Sequence, residues 1–353
     1  MNFDYSEEQQ LLADSLRRYL QAQYSFEQRK KVLDGSPGAW AKFAEMGLLA
    51  LPLSPDYGGF GGGAVDLMGV MEAFGEALVV EPYLATVIAS RLVQRTGSAA
   101  QKSALLPAVA EGKLKMAFAH TEAGARYDLG AVKCAAGKSG DHWVIEGEKK
   151  SVPLGDKLVV SARTPKGVAL FLADPVKGEP RRSLDGFAEA DLVFSGTKAE
   201  ALEGGLAEIE EATDFATALV CAEAVGAMKF SCDATLEYLK TRKQFGVPIG
   251  TFQALQHRIV DMYIAHEQAK SMACLACSKM DSAENAKERA RAISAAKIKI
   301  ADAARQVSQE AVQLHGGMGM SEEMKVSHAF RRLTVLSRQF GDADHHLARF
   351  AAL

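Results

Sequence analysis

Two short stretches hold the residue types from which a site for a phosphorylated ligand is built. Thr241-Arg242-Lys243-Gln244-Phe245-Gly246-Val247-Pro248-Ile249, followed by Phe252-Gln253, sets a permanent cation, an aromatic ring and an amide around a Gly-Pro turn. A guanidinium binds pyrophosphate through two parallel hydrogen bonds and also stacks on planar rings. A helix hairpin with a surface arginine has the same letters, so the stretch alone supports both readings. Gln313-Leu314-His315-Gly316-Gly317-Met318-Gly319-Met320 interrupts a helical pattern with adjacent glycines. Such glycines let backbone approach a ligand, or let two helices touch closely.

Other chemistry-bearing residues point elsewhere. Tyr57-Gly58-Gly59-Phe60-Gly61-Gly62-Gly63 has no strand before it and no Lys-Ser/Thr after it, so it reads as a helix-to-helix turn rather than a phosphate loop. Cys134, Cys221, Cys232, Cys274 and Cys277 lie in apolar, Ala-rich surroundings that suit reduced core thiols. Cys274 and Cys277 form a lone C-x-x-C with no second pair, and His345-His346 has no acidic or cysteine partner at ligand spacing. No metal site is expected.

The elements that must carry these residues fall into three blocks. Ser6 followed by Gln9 is a capping box, and Leu11, Leu12, Ser15, Leu16, Tyr19 and Leu20 recur on one helical face, so a helix starts at Glu7. Further helical patterns at about 38–47, 65–79, 84–96 and 99–111 complete an N-terminal helical domain over 1–113. Over 114–204 the period changes to short β-rich runs such as HWVIEGEK, KLVVSAR and GVALFLAD, which predict a small antiparallel β-barrel or sandwich. Strands are expected only between about 115 and 200. From 205 to 353 long helical stretches at 206–240, 252–280, 284–315 and 320–350 predict a four-helix bundle. The fold class is α+β, and without alternating βαβ units a Rossmann site is not expected.

Composition narrows the function classes. The 353 residues carry 41 Lys plus Arg against 44 Asp plus Glu, a net charge of −3 that gives no pull towards nucleic acid. No charge-free run of about 18 apolar residues occurs, so no membrane span is expected. The opening MNFDYSEEQQ lacks the pattern of a secretory signal, and a cytoplasmic location follows as the expectation.

With this order of blocks, the two opening motifs resemble the acyl-CoA dehydrogenase family, flavoproteins that desaturate acyl-CoA thioesters. Trp40 to Tyr57-Gly58-Gly59 is similar to the family's "W…GLLGL…P…YGG" stretch, and His120-Thr121-Glu122 to the start of its "TEPGAGSD". The resemblance spans essentially the whole chain. It implies FAD as cofactor, with Arg242 pairing to the pyrophosphate, Phe245 packing beside flavin or adenine, and Gln253 hydrogen-bonding nearby. Gln313, Gly316 and Gly317 would contact the adenosine end, and Thr121 would lie on the flavin side.

The departures from the family pattern carry as much information. The family removes the acyl α-hydrogen with a Glu at one of two places. The first precedes the Gly of a "YEGT" turn and matches Phe340 here; the second lies on the first bundle helix and matches Ala216. Asp342, Asp344 and Glu223 are the nearest substitutes. Each also has a plain reading, a helix N-cap for the two aspartates and a buried ion pair for Glu223. In the middle domain Arg126 and Tyr127 replace small residues, and Lys149-Lys150-Ser151-Val152-Pro153-Leu154-Gly155 replaces "K-T-W-I-T-N-G".

This pattern resembles the small, β-type subunit of heteromeric bacterial acyl-CoA dehydrogenases of the pimeloyl-CoA or steroid side-chain type. It implies a base-lacking chain that works with a catalytic partner subunit on an acyl-CoA in fatty acid or steroid side-chain degradation. The alternatives are a self-sufficient dehydrogenase with an unusual base, as a homodimer or homotetramer, or a flavin monooxygenase or oxidase on the same fold. Which acyl group is used is not legible.

Overall fold

In the computed structural model, which describes residues 6–353, the first helix begins where its cap requires. Ser6 Oγ accepts from Gln9 N–H at 3.2 Å and Gln9 Oε1 accepts from Ser6 N–H at 2.9 Å. Helices α1 (Glu7–Gln23), α2 (Phe26–Leu33), α3 (Trp40–Glu45), α4 (Ala64–Ala77), α5 (Tyr83–Thr96) and α6 (Ala99–Ala110) form the N-terminal part. The glycine-rich stretch is a packed turn: a Cβ on Gly59 would stand 2.0 Å from Leu53 O.

Seven strands follow: β1 (Met116–Ala119), β2 (Ala135–Ser139), β3 (His142–Pro153), β4 (Lys157–Thr164), β5 (Gly167–Ala173), β6 (Pro180–Arg182) and β7 (Ala188–Gly205). The path β4-β5-β7-β3-β2 returns to β4, closing a barrel that leaves no free edge within the ring, while β1 adds to β4 and β6 to β7. Ile145, Leu158, Val160, Phe171 and Phe194 fill its core. The barrel is antiparallel except for β1–β4 and the single β2–β4 pairing, which are parallel. Strand β2 escaped the sequence reading because Ala135-Ala136-Gly137 has no β-branched residue; its pairing with β3 makes it a strand.

Helices α7 (Leu206–Thr241), α8 (Gln253–Ser282), α9 (Ala286–His315), α10 (Lys325–Leu336) and α11 (Ala343–Ala352) form the C-terminal part. Two expectations are corrected here. The helix expected over 320–350 is two helices, because Phe340 and Gly341 take φ of 61° and 122° and Asp342 then caps α11. Strand pairing also extends beyond 200, through β7 and a two-residue hairpin, β8 (Lys243–Gln244) with β9 (Val247–Pro248). Helix α7 is long and apolar enough to cross a membrane, but most of its apolar stretch is buried in the protein.

The chain divides into two compact units, one of Met1–Ser36, Gly63–Val79 and Thr217–Leu353, the other of Pro37–Gly62 and Val80–Ala216. In the first, α4 meets α7 backbone to backbone. A Cβ on Gly75 would lie 2.0 Å from Glu223 O, and one on Gly226 would lie 1.9 Å from Glu72 O. These glycines set the crossing, since any side chain would push the helices apart.

Candidate functional site

The two opening motifs come together at one end of the helical unit. Arg242 N–H donates to Tyr238 O at 2.8 Å, and the Tyr238 ring stacks on His315 with centroids 4.4 Å apart. His315 directly precedes Gly316, and its Nδ1 is 2.8 Å from Ala311 O, which fixes the ring at the end of α9. The hairpin between α7 and α8 turns on Phe245 and Gly246 at φ 56° and 82°, the two left-handed residues of a type I′ loop. Asn or Asp is usual at the first of these positions; here the ring of Phe245 is 90% exposed, edge-on to Phe252.

Every sequence-predicted residue of this corner faces outward. Arg242, Gln253, Gln313, Gly316 and Gly317 are exposed. The glycine pair separates its two readings: a Cβ added at Gly316 or Gly317 would meet nothing within 4 Å, whereas one at Gly319 would meet Val312 O at 2.6 Å. Only Gly319 makes a close helix contact within the chain; the other two leave backbone open on the surface.

The positions matched to the catalytic base hold no carboxylate, and of the nearby acids Glu223 and Asp342 are engaged. Glu223 Oε1 and Oε2 accept from Arg332 Nε at 2.6 Å and Nη2 at 2.7 Å, with both residues buried. Asp342 Oδ1 accepts from His345 N–H at 2.9 Å as the cap of α11, and Asp344 is exposed in its first turn. Ala216 is fully buried, and Glu211, one helical turn earlier on α7, is taken by Arg91 at 2.6 Å.

In the barrel, the Glu122 of Thr121-Glu122 is a structural acid. Fully buried Lys149 donates to its Oε1 at 2.7 Å, and the Lys133 and Cys134 amides donate to the same carboxylate. Burial would raise Glu122, but these donors hold it below the usual carboxylate range. Burial and then Lys149 push His120 down to about 4, so it is a neutral ring, 2.8 Å through Nδ1 from Ser161 Oγ. Thr121 is exposed, and its carbonyl accepts from Lys150 N–H at 2.8 Å. Ser151, at φ 51°, accepts from Arg181 at 2.7 Å and donates its N–H to Asp191. A charged network stands where the resemblance leads one to expect an indole.

Sequence comparison decides the family. The N-terminal-domain model of acyl-CoA dehydrogenases matches residues 6–113 and the C-terminal-domain model matches 203–352. The chain belongs to the acyl-CoA dehydrogenase family. Among relatives, 3-(aryl)acrylate reductase of Clostridium sporogenes is 29% identical, covering 86% of each chain, and acyl-CoA dehydrogenase FadE12 of Mycobacterium tuberculosis is 29% identical over 96% of this chain and 95% of its own. Among solved structures, the Tcur3481–Tcur3483 steroid ACAD G363A variant superposes with a TM-score of 0.90 at 28% identity, covering 98% of this chain and 97% of that one.

As an acyl-CoA dehydrogenase family flavoprotein, the chain takes FAD as its cofactor. The outward corner fits that group: Arg242 offers an exposed cation with no ion pair among the described residues, Phe245 an exposed ring, and Gly316-Gly317 open backbone. The buried ion pair expected for Glu223 is there, with Arg332 as its partner, whereas the Glu122–Lys149 pair and the Ser151–Arg181 contact had no sequence signal, because their partners are far apart in the chain. The helix-crossing glycines did carry one, as isolated Gly inside helical patterns.

Proposed function

We propose that this chain is the small, base-lacking subunit of a heteromeric FAD-dependent acyl-CoA dehydrogenase that desaturates an acyl-CoA thioester. The observation that carries the reading is a contrast. The corner that would hold pyrophosphate and adenosine faces outward, while the base positions are Phe340 and Ala216, Glu223 is committed to an ion pair, Asp342 to a helix cap, and Asp344 lies exposed in the first turn of α11. Bound FAD would supply the acceptor for the hydride leaving the β-carbon. Arg242 would balance pyrophosphate charge, Gln253 and Gln313 would offer hydrogen bonds, and the Gly316-Gly317 backbone would admit the adenosine end. Proton removal from the α-carbon then falls to a carboxylate of a partner chain. The paired name of the Tcur3481–Tcur3483 structure supports a two-chain assembly.

Expressing the chain alone and with the chain that co-purifies from its native source, then assaying both against an acyl-CoA panel with an artificial electron acceptor, tests this. Activity is expected only for the pair. Full activity of the isolated chain would overturn the proposal in favour of an unusual base, and oxygen consumption by its reduced flavin would point to an oxidase or monooxygenase.

A further inference from the structure

The turn between α10 and α11 is held by more polar side chains than a connection of its length requires. Phe340, a bulky residue, sits in the left-handed region at φ 61°, and Gly341 follows at 122°. Such conformations persist where the surroundings over-determine them. Lys297 of α9 is buried at 1% exposure, and its Nζ donates to Leu336 O, at the end of α10, and to Gln339 O at 2.9 Å. Among the described residues no carboxylate lies within ion-pair distance of it, so its charge is balanced by the carbonyl end of a helix. From the other side His346, equally buried, donates from Nε2 to Phe340 O at 3.1 Å, while its Nδ1 lies 3.3 Å from Ser294 Oγ. Ser294 and Lys297 are three residues apart on α9 and present one face to the turn. A Cβ on Gly341 would stand 2.5 Å from His346 Nε2, so the turn seats directly on that ring.

We propose that Lys297 and His346 are positioning residues that clamp the Phe340–Gly341 turn in its left-handed form and so fix Phe340 as a rigid apolar wall at the position matched to the family's base. The role of that wall in substrate binding rests on the reading of the chain as a base-lacking subunit; the clamp itself does not. Burial drives Lys297 down to about 8 and His346 down to about 3, and the groups that act on one or both are Cys221, Arg332, Asp342, His345 and Arg349. The neutral state of His346 is the one in which Nε2–H donates to the carbonyl and Nδ1 accepts from Ser294.

Hydrogen exchange on the full chain tests the clamp, comparing wild type with Lys297→Met, Phe340→Gly and the double variant. Lys297→Met should speed exchange of the 338–341 amides about tenfold or more, with α9 and the rest of the helical unit within about twofold. Adding Phe340→Gly should restore protection, because glycine takes the left-handed region without help. Unchanged exchange in the turn, uniform loosening of the whole unit, or no rescue by Phe340→Gly would each overturn the clamp; if Lys297→Met does not fold, His346→Phe with the same rescue replaces it. In the assembled complex, Lys297→Met should raise KM for acyl-CoA about fivefold with kcat within about twofold. An unchanged KM with a confirmed clamp would reject only the wall's part in substrate binding.

Discussion

Replacing Glu223 separates a structural acid from a catalytic one. Its carboxylate takes two hydrogen bonds from Arg332, at 2.6 and 2.7 Å, and the two residues are 3% and 5% exposed. Glu223→Ala leaves a buried guanidinium without its counter-charge, and breaking a buried pair on one side costs about 3–5 kcal/mol. At about 2–4 °C per kcal/mol for a unit of this size, Tm should fall by roughly 6–20 °C. Glu223→Gln keeps one acceptor oxygen and should lie between the variant and wild type. Thermal unfolding by circular dichroism gives the shift, and the activity of the assembled complex, measured well below the new Tm, gives the chemistry. The reasoning predicts a large loss of stability with activity within about tenfold of wild type. A Tm within about 2 °C of wild type, together with a thousandfold loss of activity, would refute it and make Glu223 the base.

Arg242→Ala should weaken FAD binding about tenfold or more, with Tm unchanged, since the side chain is exposed and makes no ion pair among the described residues; flavin content after gel filtration reads this out, and full retention would move the pyrophosphate site elsewhere. His120 and His346 are pushed by burial from 6.5 down to about 4 and about 3. The unfolded chain therefore binds protons that the folded chain refuses, so the stability they contribute is complete above about pH 6.5 and falls as pH drops, by about 2 kcal/mol per histidine between pH 7 and 5. Urea unfolding at the two pH values measures this, and equal stabilities would contradict it. Gly226→Ala should destabilise the helical unit by at least about 1–3 kcal/mol, because the added methyl meets backbone, Glu72 O at 1.9 Å, which no rotamer relieves; a wild-type Tm would show that the crossing is looser than described.

What the sequence revealed and concealed follows from the range of the interactions. The Ser6–Gln9 box and the change from helical to alternating patterning are local, and each matches an observed element. The break between α10 and α11 is written in Gly341-Asp342, and the N-cap read at Asp342 is there, but the amphipathic pattern on either side joins the two helices into one expected stretch. The β8–β9 hairpin was hidden because Phe245 takes the place where Asn or Asp would have announced a type I′ turn. Lys149 and Glu122 lie 27 residues apart and Arg332 and Glu223 lie 109 apart. No periodicity links such positions, so the identity of each acid's partner, and hence its unfitness as a base, emerges only from the packed structure.

The cofactor corner and the base positions differ in whether the chain itself accounts for them. An exposed aromatic ring in a left-handed turn gives little to folding, and Phe245 is 90% exposed, edge-on to Phe252. Gly316 and Gly317 lower helical propensity and fill no tight contact within the chain. Among the described residues, Arg242 makes no ion pair. In the proposed reading, cofactor contacts would offset these local costs. The opposite holds at the vacated sites. Ala216 is packed without exposure, Glu223 neutralises a buried arginine, Asp342 caps a helix, and Phe340 sits on a turn held by Lys297 and His346. Each of these serves the fold, and none is left poised to take a proton. Exposed residues at the corner proposed for the cofactor's phosphates, with Phe340 and Ala216 absorbed into packing at the base positions, form the contrast on which the proposed small-subunit reading rests.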